Sequence, residues 1–537
     1  MSDLEEQVRA WLDGDPDPAT RAELSQLSPD ELAERFTAPL SFGTAGLRGP
    51  VRAGPNGMNV AVVIRTTAGL AHWLQTQGLN GGVVVLGRDG RHGSAAFAAA
   101  ATRVLVAAGF DVRTFTEPVP TPLVAFAVRA WEAVAGVQIT ASHNPAGDNG
   151  YKVYLSGGAQ LIPPSDKEIE AAIAAVVRAR DVPRATPAPG TADDVVETYL
   201  ERVAGLPYSS ARALRVALTP MHGVGGAVAV EALRRAGFTD VRVVASQAEP
   251  DADFPTVRFP NPEEPGACDA LLALAAEVDA DVAIALDPDA DRCAIGARGE
   301  DGWRMLRGDE TGVLLGDYVM ATTTRRNPLV ASTIVSSQLL GKVAAARGVR
   351  HVQTLTGFKW LVRAGEGLVY AYEEAIGYCV DPNAVRDKDG ISAAVLACDL
   401  AAGLKAAGRT LLDCLDDLAL AHGLHAGGQL AIRVDDRAEI ATLMARLRAT
   451  LPSELDSTAV EAQDLLPRTD AVVLHGADVR VVVRPSGTEP KLKGYLEVVA
   501  AVTDRTALPA AREQAALRLA RLREEMCTAL GHRPSRQ

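Results

Sequence analysis

Along the chain, short runs of consecutive apolar residues alternate with longer Ala-rich stretches of helical periodicity. VVVLG at 83–87 and VAGVQIT at 134–140 are of the first kind, and SAAFAAAATRVLVAAGF at 94–110 is of the second. Runs that are apolar throughout, rather than at every second position, are the pattern of parallel strands covered on both faces by helices. The rhythm therefore predicts βαβ units and an α/β fold. It restarts after the Pro- and Ala-rich VPRATPAPGTADD at 182–194 and the helical DVVETYLERVAGL. There the apolar runs are LRVALTP (214–220), VRVVAS (241–246) and VAIALDP (282–288). A third restart runs from the helical DETGVLLGDYVM through LVASTIVSS (329–337) to LVYAYEEAIG (368–377). The last hundred or so residues change character: QLAIRVDD, a helix, then VRVVVRPSGTEPKLKGYLEVVAAV, whose β-rich halves flank a Pro/Gly turn and predict antiparallel pairing.

The expected organisation is three consecutive α/β domains with mixed, mostly parallel sheets, at residues 1–205, 206–305 and 306–425, followed by a C-terminal α+β domain at 426–537. The first 36 residues read as helical, and SPDEL supplies a start signal in which Ser28 caps, Pro29 opens the turn and Glu31 closes a capping box.

Composition narrows the function classes. A length of 537 residues with 47% apolar content supports several cores. The 54 basic against 67 acidic residues leave a net charge of −13, which excludes a broad nucleic-acid or acidic-lipid footprint while leaving room for a local basic pocket. Six scattered cysteines form no CxxC pair, and the acidic, amphipathic start MSDLEEQVRAWLDG is unlike a secretory leader. The expectation is a cytoplasmic protein with reduced thiols and no membrane partner.

Four loops carry candidate chemistry. DPDADR places Asp287, Asp289 and Asp291 two apart directly after an apolar run. Two-residue spacing aims side chains the same way in extended backbone, so three carboxylates converge at a strand end, where open α/β sheets bind ligands. Converging carboxylates need a cation, and hard oxygen donors suit Mg²⁺. An EF-hand would need Gly and Glu where this chain has Arg292 and Arg298, and the fifth letter, Asp291, departs from a haloacid-dehalogenase DxDx(T/V) motif. The bland reading is a solvated acidic turn.

TASHNP, Thr140 to Pro145, sets Ser142 beside His143 at another strand end, with Lys152 ten residues on. A lone Ser-His pair is ordinarily a turn or cap. A phosphorylated Ser142, however, would add oxygens to a Mg²⁺ shell that three aspartates leave open. RPSGTEPKLKGY gathers Arg484, Ser486, Thr488, Lys491 and Lys493 around Gly487, a donor-rich turn fit for phosphate, and no Walker A sequence occurs. YEEAIG presents Glu373 and Glu374 as candidate grips for sugar hydroxyls. Nearby, GFKW and VRDKDG contribute Lys359, Arg386 and Lys388, which can serve phosphate or proton transfer.

In this order, together with the Gly-rich SFGTAGLRG, these loops closely resemble the α-D-phosphohexomutase family over nearly the whole chain. The resemblance implies four domains around a central cleft. Ser142 matches the phosphoserine, and Asp287, Asp289 and Asp291 match the Mg²⁺ ligands, with the phosphoserine completing the shell. Arg292 lies beside them. Glu373 matches the sugar-recognition loop, and Arg484, Ser486, Gly487 and Thr488 match the phosphate-binding loop. Arg48, Lys152, His222 and Lys388 fall at further active-site positions, with Lys152, Lys388 and His143 as candidate acid and base. Where glucose-type members carry EES, this chain has Ala375 in EEAIG, a variant similar to the branch with phosphopentomutases and sugar-bisphosphate synthases. The implied activity is a phosphosugar mutase acting on glucose or mannose phosphates through a bisphosphosugar, with Mg²⁺ as cofactor and a glucose 1,6-bisphosphate-type activator. A phosphopentomutase or bisphosphate synthase is the alternative.

Overall fold

The structure is a computed structural model describing residues 3–41, 46–186, 190–434, 436–487 and 491–532. The chain divides into two compact units, one formed by Met1–Leu306, Phe358–Arg363 and Ile376–Ala407, the other by Arg307–Gly357, Ala364–Ala375 and Gly408–Gln537.

The first unit opens with helices Asp3–Gly14, Pro18–Leu24 and Pro29–Arg35. The last carries the expected capping box: Ser28 Oγ accepts from the Glu31 amide and Glu31 accepts from the Ser28 amide. A mixed sheet follows, ordered Leu47–Pro50, Asp148–Leu155, Ala135–Ile139, Val83–Arg88, Asp111–Thr114, Gly190–Thr191. Its last four strands are parallel and the first three antiparallel. Strand Ala135–Ile139 is buried at every position, and its one polar side chain, Gln138, donates from Nε2 to the Val119 carbonyl at 2.9 Å. The 182–194 stretch, expected to be a passage between domains, also contributes the edge strand Gly190–Thr191; two residues are too short to leave a period in the sequence.

The second sheet of this unit runs Gly302–Met305, Cys293–Gly299, Val282–Leu286, Arg215–Thr219, Asp240–Val243, parallel across its last three strands. The helix Gly390–Ala406, buried over most of its length, belongs to the same unit.

In the second unit, Leu329–Thr333 pairs in parallel with both Arg350–Thr354 and Leu368–Glu373. An antiparallel sheet then runs Leu424–Arg433, Lys491–Ala500, Val479–Pro485, Val472–His475, Glu461–Asp464. Leu522, Met526 and Leu530 of the helix Leu508–Leu530 share its core with Val481, Val483 and Val498. The α/β-then-antiparallel order expected from the sequence is the observed one. All six cysteines are free. Among the described residues, no single helix is long and apolar enough to cross a membrane.

A polar network inside the second unit carries a pH prediction. Asp309 accepts from the Ser337 amide (2.7 Å) and the Tyr372 hydroxyl (2.9 Å). Burial, then the carboxylates Glu374 and Glu497, push its carboxyl from 3.8 up to about 7. The folded state thus keeps a proton that the unfolded chain releases. Stability from this group is complete below pH 3.8 and is withdrawn as pH rises toward 7, by at most about 1.4 kcal/mol per pH unit and less for a partly exposed group. Asp309→Asn keeps an acceptor for both donors and removes the titration. Its stability relative to wild type should rise between pH 5 and 7.5 in denaturant melts, and pH-parallel curves would refute the assignment.

Candidate active site

The site of the first unit is assembled at strand ends. Residues 140–147 connect Ala135–Ile139 to the antiparallel Asp148–Leu155, so Ser142 sits in the turn and Lys152 returns on the next strand, opposite Gln138. That hairpin explains the ten-residue spacing. Gly150 makes it possible: a Cβ there would lie 2.5 Å from the Thr140 carbonyl oxygen and 2.7 Å from that of Leu47. Leu47–Pro50 pairs along the same edge with Arg48 opposite Gly150, and the Arg48 guanidinium donates to the Ala141 carbonyl and Asn144 Oδ1, each at 3.2 Å. Ser142 is 1% exposed and left-handed (φ 56°), and its amide donates to Thr140 Oγ1 at 2.8 Å.

The three aspartates follow strand Val282–Leu286, all buried, with one carboxylate oxygen from each lying within 4.8 Å of the others. They converge as expected, although not through extended backbone. Ala290 is left-handed (φ 53°) and its amide closes a turn onto the Asp287 carbonyl at 2.8 Å. The turn gathers the acids because it curls around the point they face.

Ser142 Oγ donates to Asp287 Oδ2 at 2.7 Å and lies 3.2 Å from His143 Nδ1. Lys152 Nζ donates to Asp289 Oδ2 (2.6 Å) and Asp291 Oδ2 (2.7 Å). Lys388 Nζ lies 3.3 Å from both Asp291 and Asp387. The Arg292 amide donates to Asp287 Oδ1 at 3.0 Å, and its guanidinium Nε is 3.8 Å from Asp291. Thr121 donates its hydroxyl to Asp289.

These contacts divide the acids electrostatically. Burial, then the charges of Asp289 and Asp291, push the Asp287 carboxyl well above the ordinary range. Burial is also the largest single influence on Asp289 and Asp291 and acts to raise both, joined at Asp289 by the charge of Asp291. The charge and hydrogen bond of Lys152, together with Thr121 at the former and with Lys388 and Arg292 at the latter, nevertheless hold both below the usual range. Burial and the neighbouring Arg292 and Arg48 push His143 well below its ordinary value, so its imidazole is neutral at pH 7.

The residues fit a divalent cation. Asp289 Oδ1 and Asp291 Oδ1 are buried and, among the described residues, have no hydrogen-bond donor. Buried carboxylate oxygens without donors are costly, and a hard cation satisfies them while reversing the upward pressure on Asp287.

Ser142, His143, Arg48, Lys152, the three aspartates, Arg292 and Lys388 are thus brought together. His222, in the turn after Arg215–Thr219, places Nε2 2.8 Å from Thr256 Oγ1 and, among the described residues, has no hydrogen bond to the three aspartates. Lys359 and Arg386 also belong to the first unit, and the remaining candidates to the second. Glu373 ends strand Leu368–Glu373 and Ala375 follows it, while neighbouring Glu374 accepts from Thr333 and Ser336. Arg484 lies opposite Lys493, and the Ser486 amide donates to the Lys491 carbonyl at 2.9 Å, closing the hairpin that carries Gly487. Thr488 lies outside the described residues.

Sequence reasoning missed four residues that shape the site: Asp89, Arg91, Thr121 and Asp387. The last is buried and accepts from Tyr154, Gln160 and the Lys388 amide. The signal for the first two was available in DGRHG, the charged loop directly after strand Val83–Arg88.

Four consecutive segments match the phosphoglucomutase/phosphomannomutase domains in order: alpha/beta/alpha domain I over residues 39–179, domain II over 194–300, domain III over 307–420 and the C-terminal domain over 430–507. The chain belongs to the phosphoglucomutase/phosphomannomutase family. It is 40% identical over 453 residues to a "Probable phosphomannomutase" of Haemophilus influenzae, covering 82% of this chain and 93% of that one. It is 35% identical over 548 residues to a "Probable phosphoribomutase" of Schizosaccharomyces pombe, covering 92% and 93%. A crystal structure of a phosphoglucomutase/phosphomannomutase family protein from Burkholderia thailandensis shares the fold, with a TM-score of 0.70, 20% identity, and 91% and 97% coverage. As a family member, the chain is a phosphosugar mutase, an isomerase that works by phosphoryl transfer.

Proposed function

We propose that this mutase carries its phosphoryl group on Ser142 and interconverts 1-phospho and 6-phospho hexoses of the glucose or mannose type. The observation that carries the reading is the Ser142 hydroxyl 2.7 Å from Asp287 inside a buried cluster of three aspartates. Such acids have little structural reason to surround a serine, whereas a phosphorylated serine and a cation need both.

In the forward half-reaction a sugar hydroxyl oxygen attacks the Ser142 phosphorus. The bond from phosphorus to Ser142 Oγ breaks, the hydroxyl proton passes to a base and the departing Oγ takes up a proton from an acid, with Lys152, Lys388 and His143 as the candidates for these two roles. The bisphosphosugar turns over, and its other phosphate returns to Ser142. Mg²⁺ held by Asp287, Asp289 and Asp291 would offset charge on the transferring group. Arg48 supplies positive charge beside the Ser142 loop. Arg292 and His222 are assigned to substrate binding, Glu373 to the sugar hydroxyls, Ala375 to the same sugar-recognition loop as the position that bears on substrate choice, and Arg484, Ser486, Gly487 and Thr488 to the phosphate that is not reacting. A sugar bisphosphate is the proposed activator, since it can load an unphosphorylated Ser142.

The hexose assignment is supported by the relative from Haemophilus influenzae. A pentose substrate is the second reading, favoured by Ala375 in EEAIG and by the Schizosaccharomyces pombe relative. Turnover of glucose 1-phosphate, mannose 1-phosphate and ribose 1-phosphate decides between them. Faster turnover of ribose 1-phosphate than of both hexose phosphates would replace the first reading with the second. Net release of inorganic phosphate without isomerisation would overturn both.

A further inference from the structure

Arg91 is 4% exposed, and its guanidinium is used in an uncommon way. One terminal nitrogen donates to the carbonyls of Ser142 (2.8 Å) and Asn144 (2.6 Å), the other to those of Pro145 (2.7 Å) and Asp148 (3.1 Å). Three of the acceptors belong to the loop that carries Ser142, and the fourth, Asp148, begins the strand that follows it. The remaining N–H group, at Nε, faces Asp89 at 3.5 Å, and the guanidinium stacks over the Phe254 ring at 4.9 Å. Asp89 is itself fixed, accepting from the Arg91 amide (2.9 Å) and Ser94 Oγ (2.6 Å).

The loop needs such a clamp. Ser142 is held left-handed without being glycine, a conformation that costs roughly 1–2 kcal/mol unless its surroundings impose it. Two backbone hydrogen bonds brace residues 141–148 internally, from Asn144 to Ala141 and from Asp148 to Pro145. A planar, permanently charged fork can satisfy four carbonyls at once, and an ammonium cannot match that geometry. With its four terminal N–H groups engaged by these carbonyls, Arg91 has none left for a substrate phosphate.

We propose that Arg91 is a positioning residue for phosphoryl transfer, one that sets the Ser142 hydroxyl against Asp287 by gripping three carbonyls of its loop and that of Asp148, where the next strand begins. This rests on the reading of Ser142 as the phosphoryl carrier. A misplacement on the order of 1 Å in a reacting atom costs about 10²-fold in rate. Arg91→Lys should therefore lower kcat by about 10²-fold while leaving KM within roughly two-fold, because the transition state and not the ground-state complex loses support. Asp89→Asn, which leaves the fork intact and loosens its anchor, should show the same split to a smaller extent.

The test combines steady-state kinetics of the full-length wild type and both variants with hydrogen exchange, read by mass spectrometry, on peptides covering 138–150. The proposal expects slow exchange in the wild type and faster exchange in Arg91→Lys at those peptides, together with the kcat loss. Unchanged kcat and exchange in a folded Arg91→Lys would overturn it. So would a KM rise in proportion to the kcat loss with exchange unchanged, which would mean direct substrate contact. If Arg91→Lys does not fold, Asp89→Asn and the wild-type exchange decide: a wild-type loop exchanging as fast as an exposed turn refutes the clamp. Absence of phosphoserine at residue 142 in an active wild type would refute the carrier reading instead, and the exchange arm would still judge the clamp.

Discussion

Ser142→Ala lowers mutase turnover by about 10⁴-fold or more, because it deletes the atom to which the phosphoryl group bonds. The change should leave the fold intact. One buried hydroxyl is lost from a 1% exposed position, and the bond from the Ser142 amide to Thr140 Oγ1 is unaffected. Asp287 loses a donor at 2.7 Å, a penalty of about 1–3 kcal/mol. Far-UV circular dichroism and a melting curve check the fold, and a coupled isomerase assay reads the loss. Phosphopeptide mass spectrometry should find phosphate on the 140–147 peptide of wild type treated with sugar bisphosphate and none on the variant. A variant that keeps wild-type turnover would place the phosphoryl carrier elsewhere and end the mechanism.

Asp289→Asn separates the cation from the serine. Asp289 gives Oδ2 to Lys152 and Thr121 and leaves Oδ1 without a donor among the described residues, so it contributes both an ion-pair partner and a ligand oxygen. The substitution removes a negative charge from a buried pair, at a cost of about 3 kcal/mol while Lys152 keeps Asp291. Outer-shell partners of a metal are worth roughly 10–100-fold in affinity or activity, and a direct ligand should exceed that, so turnover should fall by about 10³-fold. Calorimetric titration with Mg²⁺ supplies a readout independent of activity. The wild type should bind and gain thermal stability, and the variant should do neither at the same concentration. Chelation should abolish wild-type turnover reversibly. Wild-type Mg²⁺ affinity in Asp289→Asn would remove Asp289 from the ligand set.

How much of this was legible depended on the range over which each signal acts. The Ser28 and Glu31 capping box was readable because its two bonds span three residues. DPDADR was readable as a cluster, yet its backbone path was not. Spacing alone did not reveal that Ala290 turns left-handed and closes a turn. Arg91 escaped notice because a charged loop is ordinarily solvated, and only burial against the 142–148 carbonyls makes it structural. Thr121 escaped because nothing near it in the chain hints at Asp289, 168 residues away.

The amino-acid order alone marked fully buried strands such as Ala135–Ile139 and Val282–Leu286, though the run read at 241–246 proved to be the short, half-exposed strand Asp240–Val243. It also settled which acids share one loop, since burial periodicity and two-residue spacing are local properties. Only the tertiary structure decided that Ser142 meets Asp287 across 145 residues, that Lys152 rather than another cation lies between Asp289 and Asp291, and that a guanidinium holds the serine loop. Such partnerships are chosen by which sheet ends the packing brings together and how far it excludes water there. That choice is a sum over contacts too distant in the chain to leave a pattern in it.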